Sequence, residues 1–292
     1  MKVAFAYDRV NKWGGAERVL LALHQIFPDA PLYTSVYHPE KAEWAKVFDV
    51  RPSFLQKLPF AKSHHELYAG LMPLAFESFN FDEYDLVISV TSEAAKGIIT
   101  KPETLHICYC LTPTRYLWSG YEDYFGNKIL RFISKPIINY LRIWDQIASQ
   151  RPDKIIAISD EVQKRIKKYY GRESEIIYPP LQIQNYKFQI PNKSSNSKSK
   201  KPNNEKQITN DYFLIVSRLV PYKRIDLAVK VFNKLNLPLK IVGTGSEEAK
   251  IKLIANENIE FLGHLTDEEL VKYYKGCRAL IFPGKEDFGL TI

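Results

Sequence analysis

Residues 212–245, YFLIVSRLVPYKRIDLAVKVFNKLNLPLKIVGTG, decide the fold. Phe213 to Val216 is a short apolar run bounded by polar residues, which predicts a buried parallel strand. Ser217, Arg218 and Pro221 predict a turn at its carboxyl end. Ile225, Leu227, Ala228, Val231, Phe232 and Leu235 then recur at helical spacing, and Pro238 ends that helix. Leu239 to Val242 reads as a second strand and Gly243 to Gly245 as a second turn. Strand, helix and strand make one βαβ unit, which joins parallel strands through a helix. Open sheets of this kind bind ligands outside the carboxyl ends of their strands. There the sequence puts Arg218, Lys223 and Arg224 on one turn and Gly243 and Gly245 on the next. Two cations facing glycines suit a diphosphate. The same residues also suit solvated turns, and Gly-Thr-Gly is not the G-x-G-x-x-G fingerprint of a dinucleotide site, which disfavours a dehydrogenase.

The bulk composition narrows the class. The chain has 292 residues, 45% apolar and 25% charged, which is ordinary for a globular protein of one or two domains. Lys plus Arg exceeds Asp plus Glu by 41 − 33 = 8. That balance admits anionic small substrates, an anionic membrane surface or nucleic acid. The charges are scattered and no recognition motif accompanies them, so nucleic acid is not expected as a partner. No run is long and apolar enough to span a membrane. Asp8 and Arg9 arrive too early for a signal peptide. Three cysteines, Cys108, Cys110 and Cys277, give no disulfide framework, so a reducing, cytoplasmic compartment is expected. Cys108 and Cys110 alternate along a strand and share a face, where core packing is preferred to metal binding.

Upstream of the deciding stretch, Val3 to Tyr7 predicts a strand ended by Asp8. Trp13-Gly14-Gly15 follows as a loop, and a helix begins near Ala16 with Val19, Leu20, Leu23 and Ile26 on one side. Glycines at a helix N-terminus let backbone N–H groups approach an anion, although a tight turn alone explains them too. Further strands are expected at Leu32–Tyr37, Tyr84–Val90, Leu105–Cys110 and Lys154–Ser159. An amphipathic helix is expected from Glu66 to Phe79, carrying Leu67, Leu71, Leu74, Ala75 and Ser78 and open to a kink at Pro73. The loop LTPTRYLWSGYEDYF after Cys110 is dense in Tyr, Trp and Arg, a composition that lines pockets for sugars or bases. Lys128 to Gln150 predicts a basic helix carrying Phe132, Ile133, Ile137, Ile138, Leu141 and Trp144. That stripe fits a core face, the preferred reading, or a surface for anionic lipid. Pro191 to Lys206, PNKSSNSKSKKPNNEK, is too polar to build a core and predicts a disordered insertion. Downstream come a helix over Ser246–Ala255, a strand over Ile259–Leu262, a helix opened by the capping box of Thr266 and Glu269, and a strand over Ala279–Phe282. The organisation is therefore a first domain at 1–180, a linker with the insertion at 181–211, and a second domain at 212–292.

The motifs in their order carry a resemblance. Gly14-Gly15-Ala16-Glu17 resembles the acceptor-side loop of glycosyltransferase family 4, the group 1 glycosyltransferases. Ser217 to Arg224 looks like that family's donor diphosphate motif, Gly243 to Glu247 like its glycine turn, and Glu286 to Thr291 like the start of its E-x7-E motif. The resemblance implies an α/β protein of GT-B architecture, two Rossmann-like domains facing a cleft. It also implies that the second is incomplete, because the second motif Glu would fall at 286 + 8 = 294, past Ile292. It implies a retaining transfer of a sugar, mannose from GDP-mannose by the nearest likeness to bacterial mannosyltransferases, to a lipid-linked or polysaccharide acceptor in cell-surface glycan synthesis. No cofactor and no metal are implied, since Arg218 and Lys223 would neutralise the leaving diphosphate. Glu286 would hold donor-sugar hydroxyls. Backbone N–H groups of Phe288, Gly289 and Leu290 would approach sugar and phosphate, and Gly14 and Gly15 would turn a helix N-terminus to the diphosphate or acceptor. Leu111 stands where many relatives carry a His. With the missing Glu, it favours a second reading, a catalytically silent sugar-nucleotide or polysaccharide binding protein. This chain is expected to bind donor weakly or not at all, and to be cytoplasmic, peripheral on the membrane.

Overall fold

The structure, a computed structural model, describes residues 1–126, 128–180, 211–284 and 286–289. The predicted insertion at 191–206 and Leu290 lie outside the described residues. The chain divides into two compact units, Met1–Pro180 and Leu181–Ile292.

Unit 1 runs β1 (Val3–Tyr7), α1 (Gly15–Ile26), β2 (Leu32–Thr34), β3 (Val50–Pro52), α2 (Met72–Glu77), β4 (Leu86–Thr91), β5 (Leu105–Cys110), α3 (Tyr121–Tyr124), α4 (Lys128–Ala148), β6 (Lys154–Ala157), α5 (Asp160–Tyr170) and β7 (Glu175–Ile176). Its seven-stranded sheet has the order β3-β2-β1-β4-β5-β6-β7, all neighbours parallel. Every residue of β1 and β4 is buried. This is why those strands read as continuous apolar runs: a parallel sheet is covered on both faces. The order reverses direction between β1 and β4, the topological switch point of the unit.

Three expectations for unit 1 need correction. The edge strand β3 was not anticipated; it ends in Pro52, which an edge position tolerates. The expected helix from Glu66 to Phe79 is instead a 3-10 segment, His65–Leu71, broken at Tyr68 (φ −106°, ψ 18°) and followed by the short α2. Pro73 does not kink a long helix but sits in the first turn of α2, where its missing N–H forfeits no bond. As a result Met72, Ala75 and Phe76 are buried, while Leu67, Leu71 and Leu74 face solvent. In α4, Ile138, Leu141 and Ala148 are buried, and the Trp144 ring covers Gly97 so closely that a Cβ there would lie 2.3 Å from it. Phe132, Ile133 and Ile137 are exposed, so the core-face reading holds for one side of the helix only.

Unit 2 runs β8 (Tyr212–Val216), α6 (Ile225–Leu235), β9 (Leu239–Val242), α7 (Glu248–Ile254), β10 (Ile259–Gly263), α8 (Asp267–Gly276) and β11 (Cys277–Leu280). The strands form a parallel sheet in the order β10-β9-β8-β11, with its switch point between β8 and β11. α6 buries Ile225, Ala228, Val229 and Phe232 in a cluster with Ile215, Leu239 and Ile241. Leu227, Val231 and Leu235, expected on that face, are exposed. Their i, i+4 row lies about 100° round the helix from the buried one, a distinction that spacing alone leaves open. The capping box of Thr266 and Glu269 is formed and starts α8.

Candidate functional site

The switch point of unit 1 is built on Asp8, the first residue after β1. Its buried carboxylate accepts the Thr91 hydroxyl at 2.8 Å and the backbone N–H groups of Ser92, Glu93, Ala94 and Ala95 at 2.7–3.0 Å. Four successive amides converging on one carboxylate make an anion-binding nest, filled here by the chain itself. Burial and the nearby Glu93 push the Asp8 carboxyl above its ordinary range, against the pull of those amides. Next to it Arg9 and Glu93 pair at 2.5 Å. Burial works against the Arg9 charge, but Glu93 holds it firmly protonated. Gly14 and Gly15 lie at the N-terminus of α1, where Glu17 already sits: its carboxylate accepts the Tyr7 hydroxyl at 2.6 Å, and a Cβ on Gly14 would stand 3.1 Å from it.

Deeper in the unit, Lys96 and Asp145 form a buried pair at 2.5 Å. Asp145 also accepts the Thr114 hydroxyl (2.9 Å), the Trp118 indole N–H (2.7 Å) and the Tyr170 hydroxyl (2.9 Å). Asp145 therefore fixes the aromatic loop after β5, and its satisfied oxygens compensate for burial. The loop's rings are engaged with the unit's own residues rather than presented together at a pocket. Trp118 stacks on Tyr169 with centroids 5.2 Å apart, and the Arg142 guanidinium lies 4.7 Å from the Tyr121 ring centre. His106, near the start of β5, is buried; Nε2 meets the Ser89 hydroxyl at 2.9 Å, and burial lowers its pKa to about 3.

Unit 2 brings the predicted donor residues to its own switch point. Arg218 and Lys223 lie on the loop after β8, and Glu286 on the loop after β11. Lys223 is buried and ion-paired with Glu286, so the pair bridges the two loops that flank the crevice. The Lys223 ammonium also lies 5.2 Å from the Tyr222 ring centre and 5.5 Å from that of Phe282. Arg218 is exposed, and its Nη2 donates to the Tyr222 hydroxyl at 2.7 Å. Arg224 takes a left-handed conformation, φ 53°, that starts α6 immediately after the loop. The chain thus places two cations, one carboxylate and one phenol at the carboxyl edge of the sheet.

The glycines serve this edge through backbone packing. A Cβ on Gly243 would stand 1.9 Å from the Ser217 carbonyl oxygen, and one on Gly245 would stand 2.2 Å from that of Leu219. Gly243 also has φ +126°, open to glycine and strained for other residues. The amides of Leu219 and Glu247 donate to Thr244 and Leu219 carbonyls at 2.9 Å each, locking the two turns together. Gly284 does the same for the third loop, where an added Cβ would stand 2.7 Å from the Lys223 carbonyl oxygen. Phe288 and Gly289 follow Glu286 on that loop, with Gly289 at φ 82°. Sequence reasoning missed Tyr222, Phe282 and Gly284 in the site. The signal for Gly284 was present, in Pro283-Gly284 directly before the Glu286 motif. Among the described residues no group of three or more His, Cys, Asp or Glu is placed to hold a metal ion.

Comparison with known proteins bears on this edge most directly. Residues 196–292 match the family Glycosyl transferases group 1. O-antigen chain mannosyltransferase C of Escherichia coli is 30% identical over 92 residues, a match spanning 29% of this chain and 25% of that protein. Three solved structures resemble the chain nearly end to end. Anabaena HepE in complex with UDP gives a TM-score of 0.61 at 18% identity, over 98% of this chain and 75% of that one. Sucrose-phosphate synthase from Thermosynechococcus elongatus gives 0.60 at 13% identity, over 100% of this chain and 78% of that one. Staphylococcus aureus TarM, solved with fondaparinux, α-GlcNAc-glycerol and UDP, gives 0.55 at 13% identity, over 100% and 83%. These likenesses establish the fold, α/β with parallel sheets, matching solved GT-B glycosyltransferases.

Proposed function

We propose that the chain carries the machinery of a metal-independent, retaining glycosyltransferase that moves mannose from GDP-mannose to a lipid-linked or polysaccharide acceptor on the cytoplasmic side, in cell-surface glycan synthesis. The observation that carries this reading is the buried Lys223, bridging the two loops of the unit 2 switch point with Arg218 beside it, inside the segment that matches the group 1 glycosyltransferases. As the bond from the sugar to the diphosphate lengthens, negative charge grows on the leaving phosphate. Preorganised cations stabilise that charge more than the ground state, and they do so most strongly where water is excluded. Lys223 meets the buried side of the diphosphate and Arg218 the open side, held by Tyr222. In the unliganded chain Glu286 balances the Lys223 charge. With donor present, the diphosphate takes over that role and Glu286 turns to the sugar hydroxyls. Gly243, Gly245, Phe288 and Gly289 line the donor as backbone, and Gly14 and Gly15 turn a helix N-terminus to the diphosphate or acceptor. Mannose is supported by the mannosyltransferase relative and GDP by the family resemblance alone, and the neighbours solved with UDP keep UDP in the comparison.

Calorimetric titration of GDP, UDP and GDP-mannose, into the chain and its Lys223→Ala variant, tests the donor site. Binding of GDP that the variant loses supports the assignment. Because this chain is expected to bind donor weakly, the titration runs to high nucleotide concentration, and no binding of any nucleotide there removes Arg218, Lys223 and Glu286 from a donor site. Leu111, in a position where many relatives carry His, favours one other reading, a silent sugar-nucleotide binder. Binding without transfer to any membrane-derived acceptor would select it.

A further inference from the structure

The most apolar side of α4 faces out. Phe132, Ile133, Ile137, Tyr140, Ile143 and Ile147 are exposed, from 50% at Tyr140 to 81% at Phe132. On a helical wheel they fall within an arc of about 140°. The buried residues Ile138, Leu141, Asp145 and Ala148 occupy a separate arc. A soluble helix normally turns its apolar stripe to the core. Here the stripe runs along a 21-residue helix of about 30 Å and is left uncovered among the described residues. Patches of this extent on a protein surface mark an interaction site.

The charges around the stripe say what covers it. Arg131, Lys135 and Arg142 lie along one edge of α4, and the helix's sole acid, Asp145, is buried against Lys96. Arg131 and Arg142 reach the Phe125 and Leu117 carbonyls of the adjoining loop, and Lys135 is exposed. Next to the helix, a Cβ on Gly70 would lie 3.7 Å from Ile137. That segment is tied to the preceding turn through Tyr68, whose hydroxyl donates to the Pro59 carbonyl at 2.8 Å. The turn exposes Lys57, Phe60 and Lys62, while the segment brings one exposed acid, Glu66, engaged with His65 at 3.4 Å. A second copy docking symmetrically on this face would set like cations against each other. A convex helix with an apolar stripe and a cationic edge matches a helix lying in the plane of a lipid surface. No helix among the described residues is long and apolar enough to cross a membrane.

We infer that α4 seats unit 1 on a bilayer containing anionic lipid, the Phe132–Ile147 stripe entering the acyl boundary and Lys135 reaching the headgroups. The inference rests on unit 1 alone and needs neither donor binding nor transfer. Cosedimentation of the full chain with vesicles of phosphatidylcholine, with and without phosphatidylglycerol, tests it. The Phe132→Ser/Ile133→Ser and Lys135→Glu variants alter exposed side chains, so circular dichroism should show the fold retained. Leu227→Ser, at an exposed leucine of α6, controls for apolar surface in general. The expected result is partitioning onto phosphatidylglycerol vesicles, lowered about tenfold or more by the double variant, less by Lys135→Glu, and unchanged by Leu227→Ser. No partitioning, partitioning equal on both compositions, or partitioning that the α4 variants leave intact overturns the inference. So does a dimer, seen by sedimentation velocity, that the same double variant dissociates. Nucleotide titration reads unit 2, so a failed donor site and a failed membrane face are told apart.

Discussion

The two switch points share a topology and are wired in opposite senses. Between β1 and β4, the anion that fits the nest of amides at 92–95 is Asp8, covalently part of the chain and buried. Between β8 and β11, the groups offered are cations, Lys223 and Arg218, and Lys223 is paired with a partly exposed carboxylate, Glu286. A crevice at the carboxyl edge of a parallel sheet collects amide dipoles and loop ends. Whether it holds a loop or receives a ligand depends on whether its charge is balanced from within by a fixed group or by one that can turn away. Unit 1 has the first arrangement, and a donor site in unit 2 requires the second.

The largest effect that sharpens this contrast is Asp8→Ala. Four amides and a hydroxyl lose their acceptor in a buried place, so unit 1 should lose about 3–5 kcal/mol of stability in urea titration, with nucleotide affinity unmoved. If the variant stayed stable and lost nucleotide binding, the contrast would be reversed. Lys223→Ala should do the opposite, lowering donor affinity or transfer about a hundredfold while shifting the melting temperature little. Gly243→Ala should cost unit 2 about 2–3 kcal/mol, because the added Cβ meets the Ser217 carbonyl at 1.9 Å and φ is +126°. A normal thermal melt for that variant would show that the two turns are free to separate.

A pH titration separates the units without any ligand. The His106 pKa is lowered by burial from 6.5 to about 3 in the folded state. Between those values the unfolded chain binds the extra proton, so stability rises with pH and is lost as pH falls below 6.5. The slope reaches about 1.4 kcal/mol per pH unit. His106→Gln keeps a partner for Ser89 and should make that limb shallower for unit 1, leaving the part carried by His65, whose pKa burial lowers to about 4. The smallest expected effect is Tyr222→Phe, which frees Arg218 from its phenol and should weaken donor binding about threefold, with no change in the thermal melt.

Much of this was legible in the sequence, and for identifiable reasons. The central strands were, because β1 and β4 are buried on both faces and must be apolar throughout. The turns carrying Arg218, Lys223, Gly243 and Gly245 were, because a break in periodicity marks where a strand ends. The orientation of helices was not. α4 and α6 each have apolar residues on more than one side, and periodicity reports that a stripe exists without saying which stripe meets a sheet. The stretch from Glu66 to Phe79 failed for a local reason, since Pro73 favours a new helix start over a kink. Partners distant in sequence were also hidden. Nothing near Asp8 announces the amides of residues 92–95, and nothing near Asp145 announces Lys96, Thr114 and Tyr170.

By itself the sequence determined a parallel α/β chain with basic and glycine-bearing turns at strand ends, because strand burial and turn chemistry are local and leave local traces. Only the tertiary structure decided the strand order, which makes β1/β4 and β8/β11 the switch points, and so decided that Lys223 meets Glu286. It also decided that Gly243 and Gly245 serve the approach of one turn to another, and that the most apolar side of α4 is left outside. These outcomes depend on which loops and faces meet in space, and contacts between segments far apart in the chain are set by the packing of the whole sheet.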